Sequence, residues 1–107
     1  MVNPSTTTAR QIVEQLLAVG MRHAVVAPGS RSAPLAWALA QTAGAQRITL
    51  HTRIDERDAA FLALGLAKAS GTIVPVVTTS GSAVANLLPA MVEAYYSSVP
   101  VSYTHLR

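Results

Sequence analysis

Cysteine is absent from the 107 residues, which excludes disulfides and thiolate metal sites and fits a reducing compartment. Charge is scarce as well. The net +3 comes from single arginines at positions 10, 22, 31, 47, 53, 57 and 107 and one Lys68, set against five acids. A nucleic-acid-binding stripe would cluster such cations, so no nucleic-acid partner is expected. No apolar run approaches the ~20 residues that a membrane helix needs. The opening Met1-Val2-Asn3-Pro4-Ser5-Thr6-Thr7-Thr8 lacks the apolar core and cleavage signal of a leader. Together these absences point to a cytoplasmic protein without membrane insertion. Gly-x-Gly-x-x-Gly and Walker loops are missing too, so a dinucleotide or P-loop site has no support.

What is present is a chain half hydrophobic by residue, enough to bury the core of one domain but not two. Over residues 8–19, Ile12, Val13, Leu16 and Leu17 share one helix face, with threonines ahead as caps and Gly20 behind. Residues 23–27 (His-Ala-Val-Val-Ala) form an apolar run stopped by Pro28-Gly29, which predicts a buried strand. His23, at its start, has no metal-type partner at helical or strand spacing and reads as structural. A second helix is predicted over 33–43, with Pro34 in its first turn and Gly44 past its end.

Residues 47–51 predict a short strand leading into a third helix that ends at Ser70-Gly71. Residues 73–78 predict the next strand, in which Pro75 suggests an edge position or a point lacking a partnered N–H. A long amphipathic helix follows, with Val84, Leu87, Leu88, Met91, Val92 and Tyr95 at helical spacing. Pro89 cannot donate to the carbonyl of Ala85, so a kink or break is expected there. Val99-Pro100-Val101 opens one more strand. This alternation predicts an α/β fold, a parallel β-sheet flanked by helices on both faces. Ligands of such sheets bind beyond the carboxyl ends of the strands, where the loops 28–32, 52–56 and 79–82 emerge.

Two of these loops carry candidate chemistry. Asp55 is placed to cap the third helix, which puts Glu56 in its first turn beside free N–H groups and the positive end of the dipole. Acids are favoured there in any protein. The helix behind Glu56, from Ala59 to Ala67, is apolar all round, which predicts burial and a partly desolvated carboxyl suited to proton chemistry. The loop Pro28-Gly29-Ser30-Arg31-Ser32 offers two hydroxyls, a guanidinium and a helix start, a set suited to a carboxylate or phosphate. Its alternative reading is structural: Ser32 caps, Gly29 turns, and Arg31 faces water.

Ala27-Pro28-Gly29-Ser30-Arg31-Ser32, Asp55-Glu56-Arg57, Ala63-Leu64-Gly65-Leu66-Ala67-Lys68 and Thr79-Ser80-Gly81-Ser82-Ala83-Val84-Ala85-Asn86-Leu87 resemble, in order and spacing, the N-terminal pyrimidine-binding domain of thiamine-diphosphate enzymes. The Pro-Gly-Ser-Arg-Ser loop is similar to that of the 2-succinyl-5-enolpyruvyl-6-hydroxy-3-cyclohexene-1-carboxylate synthases of menaquinone biosynthesis. The resemblance covers roughly residues 8–101 and implies thiamine diphosphate as cofactor. Glu56 would be the catalytic acid at N1′ of the aminopyrimidine, with Pro28, Ser80, Gly81 and Asn86 against the cofactor. Ser30 and Arg31 would hold a carboxylate of isochorismate, and 2-oxoglutarate would be the substrate that loses carbon dioxide.

The resemblance also implies parts that are not here. Family members are several times longer, bind Mg²⁺ and the diphosphate through a C-terminal domain with a Gly-Asp-Gly motif, and share each cofactor between two subunits. Residues 1–101 therefore read as an incomplete pyrimidine domain and 102–107 as an atypical tail. The fragment alone is expected to be inactive, and the full-length protein a homo-oligomer, dimer or tetramer. Two alternatives stand beside this reading: another thiamine-diphosphate decarboxylase or carboligase resembling acetolactate synthase, and a non-catalytic α/β anion-binding module.

Overall fold

The computed structural model describes residues 4–29 and 32–105, without the side chains of 103–105. The chain alternates helix and strand: α1 (Pro4–Ala18), β1 (His23–Val26), α2 (Ala33–Gly44), β2 (Thr49–Thr52), α3 (Glu56–Ser70), β3 (Val74–Thr78), α4 (Ser82–Ala85), α5 (Leu88–Ser97) and β4 (Val101–His105). The four strands form one sheet in the order β2-β1-β3-β4, and every pairing is parallel. Parallel neighbours need crossovers, which the helices supply on both faces. The α/β architecture expected from the alternation is therefore the one observed.

Two cores result. On one face α1 and α2 bury Ala9, Val13, Leu35, Ala38 and Leu39 against Ala24, Val26 and Val77, with Met21 and Ile48. On the other face α3 and α5 set Ala59, Ala60, Ala63, Ala67 and Ala90 against Val25, Val74 and Val76, with Leu87 filling the remaining space. The period of two along each strand sends Val25 to one core and Ala24 and Val26 to the other.

Helix punctuation follows the sequence closely at α3. The Asp55 carboxylate accepts from the N–H of Arg57, and Gly71 closes the helix in the left-handed region at φ 69. Elsewhere it differs. α1 begins at Pro4, so the threonines expected as caps lie inside it. α2 includes Gly44, and the left-handed residue after it is Gln46, at φ 60. Ser32 makes no cap: its hydroxyl donates back to the carbonyl of Gly29 at 2.9 Å.

Three expectations are corrected. First, of the two readings of Pro75 the edge position fails and the unpartnered point holds: β3 is interior, between β1 and β4. The N–H of Val74 donates to Pro100 on the β4 side, so alternation turns the nitrogen of Pro75 toward β1. The β1–β3 ladder begins only at Val25↔Val76, and the missing donor falls where no bond is needed. Second, α3 is not buried all round. Ala59, Ala60, Ala63, Leu64 and Ala67 are buried, whereas Phe61 is 44% exposed and Gly65 also faces outward. One sheet face covers one side of a helix, and nothing described covers the other. Third, the stripe assigned to the last helix is out of phase. The helix breaks at residues 86–87, as Pro89 requires, into α4 and α5. The buried positions are Ala83, Leu87, Ala90 and Ala94, leaving Leu88, Val92 and Tyr95 exposed.

β4 pairs with β3 from Val74↔Val101 to Thr78↔His105. The strand thus runs through the first four residues of the tail singled out in the sequence.

Candidate functional site

Register puts the three candidate loops at one level. Thr52, Val26 and Val77 are mutual partners across β2, β1 and β3. Asp55, Gly29 and Ser80 each follow that line by three residues, on the carboxyl side of the sheet. Strands lie about 4.8 Å apart, so the loops after β2 and β3 leave the sheet roughly 10 Å apart, with the loop after β1 between them.

Backbone bonds extend the ladder beyond the strands and fix where the loops depart. The N–H of Arg53 donates to the carbonyl of Val26 at 3.0 Å, and that of Ala27 to Val77 at 2.9 Å. The loops after β1 and β3 then touch. A Cβ on Gly29 would lie 2.6 Å from Cβ of Thr79, a separation real side chains do not tolerate, so glycine is what lets the loops close on each other. Thr78, fully buried, donates its hydroxyl to the carbonyl of Thr79 at 3.0 Å.

Glu56 stands at the first position of α3, half-buried, with Asp58 in the same turn. No hydrogen bond or ion pair to its carboxylate occurs among the described residues. Its neighbours are engaged: Asp55 caps the helix through Arg57 N–H at 3.0 Å, while the Arg53 guanidinium lies 3.8 Å from Asp58 and donates to the carbonyl of Thr52 at 2.8 Å. An unpartnered, half-dry carboxylate at a helix start can share a proton with a basic atom of a ligand placed over the rim. Beside it, Ile54 is 84% exposed, an apolar contact surface that a loop position between charged residues did not advertise in the sequence.

The remaining candidates distribute unevenly. Gly81 has φ 82 and ψ −140, a conformation that glycine alone adopts easily, and nothing lies within 4 Å of an added Cβ. The backbone shape, rather than crowding within this chain, requires glycine. Ser80 is half-buried next to it, and Pro28 is exposed on the neighbouring loop. Asn86 ends α4 one turn behind the rim, its backbone N–H on the carbonyl of Ser82. Ser30 and Arg31 lie outside the described residues, between Gly29 and the fully buried Ser32. Among the described residues no group of three or more His, Asp or Glu could hold a metal ion.

One pair was not legible as a pair in the sequence. Nδ1 of His23 on β1 lies 3.3 Å from Nε2 of His51 on β2, with the rings 5.5 Å apart and tilted by 32°. Burial, then the neighbouring His23 and Arg53, hold the His51 imidazole below its usual pKa.

Among the described residues no helix is long and apolar enough to cross a membrane. A family model described as thiamine pyrophosphate enzyme, N-terminal TPP binding domain, matches residues 6–103. Curated proteins named 2-succinyl-5-enolpyruvyl-6-hydroxy-3-cyclohexene-1-carboxylate synthase are also similar. The one from Kineococcus radiotolerans is 59% identical over 94% of this chain and 18% of its own length. The one from Paenarthrobacter aurescens is 62% identical over 91% of this chain and 17% of its own, and that from Mycobacteroides abscessus 58% identical over 94% and 18%. The chain therefore spans less than a fifth of the length of these relatives. A match that takes in nearly every described residue, loops and strands alike, settles the kinship: the chain belongs to the thiamine pyrophosphate enzymes, as their N-terminal TPP-binding domain.

Proposed function

We propose that this chain is the pyrimidine-side half of a thiamine-diphosphate site, in a carboligase that decarboxylates 2-oxoglutarate and joins its succinyl unit to isochorismate. The product would be 2-succinyl-5-enolpyruvyl-6-hydroxy-3-cyclohexene-1-carboxylate, the compound after which the similar proteins are named. The observation that carries the reading is the placement of Glu56. A half-buried carboxylate without a partner among the described residues stands level with the loops of Gly29 and Gly81 at the carboxyl edge of a parallel sheet.

The cofactor, when bound, supplies the carbon–carbon chemistry. Glu56 would hold a proton at N1′ of the aminopyrimidine, acting there as a general acid–base group. Pro28, Ser80, Gly81 and Asn86 would line the pocket that receives the cofactor's ring. Ser30 and Arg31 orient a carboxylate of isochorismate, for which a guanidinium forms a two-pronged donor. Mg²⁺ and the diphosphate belong to residues beyond this chain, in a partner domain of a homo-oligomer, dimer or tetramer, acting in the cytoplasm.

The test uses the complete protein. Glu56→Gln is expected to slow exchange of the cofactor C2 proton by ~10² to 10⁴, the size of general acid–base assistance, with cofactor still bound. Exchange at the unaltered rate removes Glu56 from the reaction. Turnover of isochorismate with 2-oxoglutarate, compared with pyruvate alone, separates this carboligase from an acetolactate-forming one. Arg31→Ala is expected to raise KM for isochorismate and leave cofactor affinity unchanged.

A further inference from the structure

The His23–His51 pair stands on β1 and β2 themselves, ahead of the loops that form the carboxyl-end rim. Its two facing nitrogens are 3.3 Å apart, within reach of a hydrogen bond between the rings. Two imidazole nitrogens bound to one zinc ion at about 2.0 to 2.1 Å would be separated by this distance when the N–Zn–N angle is roughly 104 to 111°, close to tetrahedral. We propose that His23 and His51 form a two-histidine site for an exchangeable divalent transition-metal ion, Zn²⁺ above all, that ties edge strand β2 to β1.

Several features support the site. Val25 pairs with His51, and His23, two residues before Val25, shares its face of the sheet. Both ligands therefore stand on hydrogen-bonded strands, which hold a bite distance better than loops do. Both rings are half-buried. The nearby Arg53 guanidinium is turned toward Asp58 and the Thr52 carbonyl, which offsets part of its repulsion for a cation. With no third described His, Asp or Glu in reach, the other coordination positions fall to water. Such an ion exchanges, unlike the closed four-ligand ions of structural sites. It would clip β2 just before the turn that delivers Asp55 and Glu56.

The test is equilibrium dialysis of the intact, chelator-stripped protein against Zn²⁺, alongside His23→Gln, His51→Gln and the double variant, with circular dichroism as the check of folding. The wild type is expected to hold one zinc per chain that either single substitution abolishes and the double does not reduce further. Equal zinc content in all four proteins overturns the proposal and leaves a direct contact between the rings. A second measurement needs no variant: zinc should protect His23 and His51 together from carbethoxylation by diethyl pyrocarbonate, mapped by mass spectrometry. Unchanged modification of both with zinc present also overturns it.

Discussion

The two faces of the sheet are packed by different means. Under α1 and α2 the filling is done by large side chains, Leu35, Leu39, Val13, Met21 and Ile48. Under α3 and α5 it is done largely by alanine, and several of the larger apolar residues of these helices, Phe61, Leu88, Val92, Tyr95 and Tyr96, stay exposed. Small side chains let a helix lie close to strands, where density comes from proximity instead of bulk. The first face is a finished core. The second is finished toward the sheet, and its outer side leaves these apolar side chains exposed.

That contrast makes opposite substitutions harmful on the two sides. Deleting volume should hurt most under α2: Leu39→Ala, at a fully buried position, is expected to cost about 2 to 5 kcal/mol by urea denaturation. Adding volume should hurt under α3: Ala63→Leu, equally buried, is expected to cost about 1 to 3 kcal/mol in the same assay. A neutral Ala63→Leu would mean that α3 has room and that its alanines are incidental. Gly29→Ala sharpens the point at the rim, where the new methyl meets Thr79. A loss of about 1 to 3 kcal/mol is expected, together with weaker cofactor binding by the complete protein. On the outer side of α5, Tyr95→Ser, at a position 80% exposed, should change the stability of this chain by no more than about 0.5 kcal/mol.

The smallest effect is one of pH. The folded chain depresses the His51 pKa, so the unfolded chain takes up its proton first as pH falls. Stability is then full above the ordinary imidazole range and declines through it toward acid. With a chelator present, the melting temperature of the wild type should fall over that interval more than that of His51→Gln. Equal profiles would place the titration elsewhere.

The sequence carried most of the fold because its local signals agree with one another. Gly71 and Asp55 mark the ends of α3 by their backbone needs, Pro89 marks a break, and alternation of element types leaves few topologies beyond a parallel sheet. The failures have one source, which is that a side of an element is defined only by its neighbours. Pro75 suggested an edge, but the register of β1 against β3 starts one residue later and spares the missing donor. Helices rich in alanine show a weak apolar stripe, so bulk misled where spacing of small residues was the guide, as the buried Ala83, Ala90 and Ala94 show.

The site was legible in the same uneven way. Glu56 could be placed at a helix start from Asp55 alone, and the loops at strand ends from topology. Their common level could not, because it depends on the pairing of Thr52, Val26 and Val77. His23 looked solitary for a related reason: its neighbour, His51, is 28 residues away in sequence and meets it only across paired strands.

Strand pairing also acts as a ruler. One residue inserted between Thr52 and Asp55 would move the Glu56 carboxylate by about 3.3 Å relative to its neighbouring loops, further than a shared proton can be passed. Natural variation in length should therefore collect in the turns at the opposite end of the sheet, such as the one around Gln46, where nothing has to arrive in step.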